Sequence, residues 1–358
     1  MRQRWTSAHP ARLGAGVPRR LVASAVRACA VAFGGALALA GCASVPQPLE
    51  IGGTSMGTTW SVKAGAPEAQ RDALLAAITA RLDALVDEMS AWEPESALSR
   101  FNRAAPGSNH RLPPDLCAVL AHALALASET DGAYDPTIGA LAALWGFGPD
   151  AAPRAAPPAR TEIDAARARV GWRNVAFDPS TCRAQQPGGV LVDVSSLGPG
   201  YAVDQIAALL DAAGVVRYLV ELGGEMRARG ARPDGRPWRV AVERPGDPAA
   251  QDVILALRDG ALGTSGDYRS GFTHEGRRYS HTLDPRTGEP VQHALAAVTV
   301  VAETALAADA LAAALLVQGP EAGFDFAQAR GVAAVFTLRN GADTTRRTTP
   351  ALARYRSP

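Results

Sequence analysis

Catalysis needs nucleophiles, proton carriers or fixed charge at workable spacing, and this 358-residue chain lacks most of the familiar sets. Its six histidines (His9, His110, His122, His274, His281, His293) form no HxH or HExxH pair, which argues against a zinc enzyme. There is one lysine, Lys63, and no glycine-rich loop ending in Gly-Lys-Ser/Thr, so a Walker-type phosphate site is excluded. Lys63 sits in a short polar-flanked stretch, a poor setting for a Schiff base. Gly53-Thr54-Ser55-Met56-Gly57 spells GxSxG, but it runs into an expected strand and not a helix, so it lacks the context of a nucleophile elbow. Four cysteines include no CxxC, against a zinc ribbon or a thioredoxin-like centre. Cys117 and Cys182 are either free thiols or a pair; an oxidising compartment permits the bond, and the sequence does not say whether they lie within reach.

What stands out is a series of polar, glycine-flanked segments in alanine-rich surroundings. They are Met56-Gly57-Thr58-Thr59; Met89-Ser90-Ala91-Trp92 leading to Ser99-Arg100-Phe101-Asn102; Asp131-Gly132-Ala133-Tyr134-Asp135-Pro136-Thr137 running to Leu144-Trp145-Gly146-Phe147-Gly148; 193–204, beginning Asp193-Val194-Ser195-Ser196; Glu221-Leu222-Gly223-Gly224-Glu225; Thr264-Ser265-Gly266-Asp267-Tyr268; 279–288, containing His281-Thr282-Leu283-Asp284; and Ala308-Asp309-Ala310-Leu311-Ala312. In this order, over residues 52–340, they resemble the ApbE family of FAD:protein FMN transferases.

The resemblance implies a two-lobed, T-fold-like α+β architecture with mostly antiparallel sheet and flanking helices. It implies FAD as substrate, held in a cleft, and Mg²⁺ as cofactor. FMN passes to a Thr or Ser hydroxyl of a target flavoprotein and AMP leaves. A hard cation on oxygen ligands suits the concentrated charge of a pyrophosphate. Matched to the family's positions, Met56, Trp92, Ala133, Tyr134, Asp135, Asp193, Pro199 and Leu283 bind FAD, Ser196 and Asp309 hold Mg²⁺, and Asp309 and His281 are catalytic. His281 is the candidate proton acceptor, since histidine titrates near neutrality. Plainer readings stand beside these. Trp92 is a core or rim tryptophan, Asp135-Pro136 is a turn, Asp309 is a solvated helix acid, and His281 bonds a neighbouring turn.

Two positions depart from the family. Ala313 stands where a Thr usually supplies an oxygen to Mg²⁺, and Pro199 stands where Lys or Glu is common. They motivate two alternatives to the transferase: hydrolysis of FAD to FMN and AMP, or a non-catalytic, degenerate FAD-binding lipoprotein.

These segments need positioning elements. Apolar periodicity predicts helices over 68–89 (Leu74, Leu75, Ile78, Leu82, Leu85, Val86, Met89), 114–130, 201–213 and 306–317. Strands are expected at 59–63, 190–194, 218–221, 225–229, 238–243, 253–257, 297–301 and 332–338, with hairpin turns at Gly223-Gly224 and Asp259-Gly260 and a loop at 149–160. Frequent hairpins among helices argue for α+β with mostly antiparallel sheet.

The net charge of +1 hides two parts. Residues 1–41 carry six arginines and no acid, leaving 30 basic against 35 acidic side chains, a balance of −5. That lacks the basic footprint of a nucleic-acid binder, so no nucleic-acid partner is expected. Arg19-Arg20 precede an apolar run over 28–40, too short to span a membrane and right for a secretory signal. It ends Leu39-Ala40-Gly41-Cys42, a lipobox pattern in which Cys42 is lipidated. The expected organisation is a signal peptide over 1–41, a tether over 42–50, the transferase domain over 51–345 and a tail over 346–358. The expected location is the periplasmic face of a bacterial membrane. The expected partners are FAD and a periplasmic-facing flavoprotein subunit of an electron-transfer complex. Abundant alanine and scarce lysine read as codon bias.

Overall fold

Eight strands form one antiparallel sheet whose spatial order is also their chain order: β1 (Leu49–Ser55), β2 (Thr58–Ala64), β3 (Tyr218–Leu222), β4 (Glu225–Arg229), β5 (Gly260–Gly266), β6 (Leu295–Ala302), β7 (Ala333–Asn340) and β8 (Asp343–Thr348). The computed structural model describes residues 48–149, 151–247, 253–341 and 343–356. The expected signal peptide, Cys42 and most of the tether lie outside the described residues. No helix among the described residues is long and apolar enough to cross a membrane.

The sheet buries both faces. On one lie helices α1 (Arg71–Met89), α2 (Pro114–Glu129), α3 (Gly198–Ala212), α4 (Ala305–Gln318) and α5 (Ala322–Ala329). On the other, the paired strands Trp238–Ala241 and Ile254–Leu257 and the turn Pro350–Tyr355 cover Leu262, Val301 and Val335. Alternation along each strand therefore sorts side chains between a helix face and an opposite face. The domain boundary expected at 345/346 falls inside β8, and Leu352 beyond it is fully buried.

In α1, Leu74, Ile78, Leu82, Leu85 and Met89 form the buried stripe; Leu75, expected with them, is exposed. Two other expectations change. Residues 190–194 form no ladder strand, although Val190, Val192 and Val194 are buried. The Asn102 side chain takes a strand partner's place: Val192 N–H donates to its Oδ1 at 2.9 Å and its amide donates to Val192 O at 2.8 Å. Asp259-Gly260 closes no hairpin. The chain crosses there from the outer pair into β5, and Asp259 accepts from Gly230 N–H at 3.1 Å.

Helices α3 and α4 cap each other. Gly200 N–H, in the first turn of α3, donates to Asp309 of α4 at 3.1 Å. Asp204 of α3 accepts from Ala305 N–H and Leu306 N–H, the first turn of α4, at 3.0 and 2.9 Å, and pairs with Arg227 of β4. Each carboxylate satisfies orphan donors at a positive helix end. Asp204→Ala is expected to cost about 2–4 kcal/mol, combining a lost cap with a stranded, half-buried Arg227. Chemical denaturation measures it; a loss below about 1 kcal/mol would show that the caps are dispensable.

Candidate active site

Asp309 is the only charged residue of α4, and glycines let it approach two elements. A Cβ on Gly200 would lie 2.8 Å from Asp309 Cβ, and one on Gly263 of β5 would lie 2.5 Å from Asp309 N. Those glycines permit the helix to sit against α3 and the sheet at backbone distance. Asp309 is 5% exposed and Glu225, on the helix face of β4, is 6% exposed.

The two acids interact. Burial, then the charge of Glu225, raises Asp309 well above the usual carboxylate range, against the opposing bond from Gly200 N–H. Burial pushes Glu225 up to about 7, against backbone N–H donors and the Arg269 charge. Arg269 itself bonds Glu243 at 2.9 Å and Gly223 O at 3.3 Å. Between the unfolded value of 4.5 and about 7, folded Glu225 keeps a proton that the unfolded chain releases. Stability of the metal-free protein is therefore highest below pH 4.5 as far as this group is concerned and falls as pH rises through that window. Thermal melts in chelator from pH 5 to 8 should show the fall, and Glu225→Gln should flatten it. An equal slope in the variant would refute the assignment.

Beside the acids, Tyr134 OH meets Ser196 Oγ at 3.2 Å. Burial raises the Tyr134 phenol, with Asp193 and Asp309 adding to the effect, so the hydroxyl stays protonated as a donor. Asp193 is half-buried and accepts from Ser195 N–H at 2.8 Å. Tyr201, next to Gly200, donates to Asp115 at 2.7 Å, and Arg81 grips the same carboxylate, which fixes the start of α3 against α1 and α2.

An apolar cleft of about 500 Å³ opens at the same helix end. Met56, Leu85, Met89 and Trp92 line one part, and Val194, Gly198 and Pro199 another. Met56 and Gly57 form the tip of the β1–β2 hairpin at φ of 50° and 74°, a left-handed pair that methionine rarely adopts. Trp92 is 62% exposed, so it belongs to the cleft wall and not to the core. Pro199 occupies the first turn of α3, where its missing N–H costs nothing.

His281 lies on a different segment. Its Nδ1 faces Ser270 O at 3.3 Å, so the proton sits on Nδ1 and Nε2 is free to accept. Desolvation lowers its pKa from 6.5, favouring the neutral ring at pH 7. Phe147 meets the ring edge-on at 6.4 Å. Ser270 directly follows Arg269, which joins the histidine to the Glu225 side of the site.

Three expected positions turn inward. Asp135 is buried and its carboxylate accepts from Thr137 N–H and Oγ1 and from Trp172 N–H at 2.6–3.0 Å, so it holds the turn. Ala133 is buried, with its N–H on Thr130 O. Leu283 packs with Leu141, Trp145 and Ile163 beneath the His281 segment. Glu225 and Arg269 carry much of the local charge and stand outside the set of site residues that the resemblance implies. Among the described residues no three His, Cys, Asp or Glu side chains gather as a metal cluster. The available donors are the buried acid pair and hydroxyls, a set suited to a hard cation that keeps several waters.

The chain is similar to known proteins over most of its length. The ApbE family profile matches residues 56–336. The FAD:protein FMN transferase of Klebsiella pneumoniae (strain 342) is 37% identical over 324 residues, covering 87% of this chain and 92% of that protein. The crystal structure of the Pseudomonas stutzeri flavinyl transferase ApbE, apo form, superposes with a TM-score of 0.79 at 39% identity, covering 86% of this chain and 96% of that one. The flavin transferase ApbE from Vibrio cholerae gives 0.79 at 33% identity, covering 86% and 99%. With relatives this similar across nearly their whole length, and the segments at the cleft and the acid pair inside the matched region, the chain belongs to the ApbE family.

Proposed function

We propose that this chain is an FAD:protein FMN transferase, exported and lipid-anchored through Cys42 on the periplasmic face of a bacterial membrane. It moves FMN from FAD to a Thr or Ser hydroxyl of a flavoprotein subunit of an electron-transfer complex. The observation that carries the reading is the buried pair Asp309 and Glu225, with Asp309 meeting the first turn of α3 beside an apolar cleft walled by Trp92.

The cleft has the size and lining for a planar ring, and Trp92 offers a face to stack on. The acceptor oxygen attacks the phosphorus on the FMN side of the pyrophosphate. A new P–O bond forms, the bridging P–O bond breaks, and AMP leaves with the bridging oxygen. The hydroxyl proton goes to Nε2 of neutral His281. The protonated Tyr134 hydroxyl shares a hydrogen bond with Ser196, near Asp309. Asp309 and Ser196, with Glu225 beside them, would hold Mg²⁺, while Ala313 adds no oxygen. Bound Mg²⁺ neutralises charge developing on the pyrophosphate oxygens.

The test incubates the protein with FAD, Mg²⁺ and a Thr-bearing acceptor domain. Mass spectrometry should find an adduct of FMN less one water, with one AMP per adduct. AMP without adduct would favour hydrolysis. Ala313→Thr should change the rate less than tenfold; a large gain from a near-inactive parent would favour the degenerate reading.

A further inference from the structure

The end of the molecule opposite the cleft is basic. The β1–β2 hairpin runs from the cross-strand pair Glu50 and Lys63 at its base to Met56-Gly57 at the cleft. Six residues of strand put these ends about 20 Å apart. Around the base lies an open groove of about 620 Å³, lined by Lys63, Arg232, Arg236 and Arg239 with Glu50 and Asp234. Four cations thus meet two carboxylates. Lys63 reaches Glu50 at 3.5 Å, and Arg232 and Arg236 share Asp234 at 3.6 and 3.5 Å. Arg236 is 77% exposed along its side chain, and Arg239 has no acid partner among the described residues. Ion pairs this loose and exposed hold their cations weakly.

The groove also starts at Pro48, six residues after Cys42. Even fully extended, six residues span only about 20 Å. A chain anchored at Cys42 must therefore keep this end of the molecule against the bilayer.

We propose that the groove is a membrane-facing surface whose cations meet anionic phospholipid headgroups, holding the cleft at the far end of the hairpin, directed to the water side. The tethered orientation rests on the lipid attachment proposed above; the affinity of the surface for anionic lipid does not. The short tether keeps the surface at high effective concentration, so modest attraction fixes the orientation. The acceptor hydroxyl must then be presented about 20 Å or more above the headgroups, on a protruding segment and not at the membrane surface.

Residues 45–358, which form one compact unit and lack Cys42, provide the test. They should co-sediment with vesicles of phosphatidylcholine containing phosphatidylglycerol at about 50 mM salt and release at about 500 mM. Pure phosphatidylcholine vesicles should bind at least tenfold less. Arg232→Glu/Arg236→Glu/Arg239→Glu should lower partitioning at least tenfold, with melting temperature and flavin transfer to a soluble acceptor unchanged. Equal binding to neutral vesicles, or equal binding by the triple variant, overturns the proposal. Mass spectrometry of Cys42 in the full exported chain is read separately. A bare thiol there overturns the lipoprotein reading, while charge-dependent vesicle binding still supports the surface.

Discussion

Asp309→Asn should abolish most flavin transfer while leaving the protein at least as stable as its parent. The amide keeps the shape and can still accept from Gly200 N–H, which now bonds Asp309 Oδ2 at 3.1 Å. What disappears is a buried negative charge that, without a cation, is disfavoured by burial and by Glu225. Removing it relieves the metal-free protein, so its melting temperature at pH 8 should hold or rise. Under the proposed function, the same removal takes away a carboxylate that would hold Mg²⁺ at the pyrophosphate. The expected loss in turnover is about 10²–10³-fold, the scale of deleting one preorganised electrostatic group in a closed site. Steady-state rates across a Mg²⁺ titration measure it. Wild-type turnover at any Mg²⁺ concentration would remove Asp309 from the mechanism, and a collapse in melting temperature would make it a structural residue instead.

The packing around Asp309 depends on small side chains as well as on its charge. Alanine in α4 read as codon bias, yet Ala305, Ala308, Ala310, Ala312 and Ala314 are fully buried. Small side chains there, with Gly200 and Gly263, bring α4 close enough to α3 and β5 for its one carboxylate to meet another helix's first turn. Composition alone does not distinguish that packing from genomic bias, because both predict the same residue.

Much of the main sheet was legible because hairpins with tight turns set their own register. Residues 218–221 and 225–229 are such a case, and their turn also fixes which side chains share a face. A two-residue Gly223-Gly224 turn pairs Leu222 with Glu225, so both side chains share a face. Tyr218, Val220 and Leu222 alternate onto the buried face, which places an acid in the core. A buried strand carboxylate was therefore derivable for Glu225. Arg269 had no comparable signal, since it lies in a loop whose path depends on β5 and β6. The stretch 190–194 failed as a strand for a related reason. Alternating apolar residues report burial, and here a side chain, Asn102, supplies the hydrogen bonds that a neighbouring strand would supply. The eight segments brought the ApbE-family transferase into view, while the Asp135 carboxylate has one oxygen occupied within its own turn by Thr137 and the other by Trp172 N–H.

Reduction should destabilise the protein by about 4 kcal/mol, through the Cys117–Cys182 disulfide that sequence left undecided. The bond joins residues 65 apart in sequence. It ties the first turn of α2 to the turn just before the strand Arg183–Gln185, across the segment that carries Tyr134, Asp135 and Trp145. Closing a loop of that length removes considerable freedom from the unfolded chain, by a logarithmic dependence that gives the quoted size. Spread over ~310 residues at roughly 2 cal/mol/K each, the melting temperature should fall about 6 °C. Parallel melts with and without reductant, on the parent and on Cys117→Ala/Cys182→Ala, measure the bond. Only the parent should respond, and the double variant should melt near the reduced parent. A parent insensitive to reductant would mean that the bond constrains nothing in the unfolded state. The comparison also bears on export. A domain that gains this much from a disulfide reaches full stability only where thiols oxidise, which is the compartment proposed for this chain.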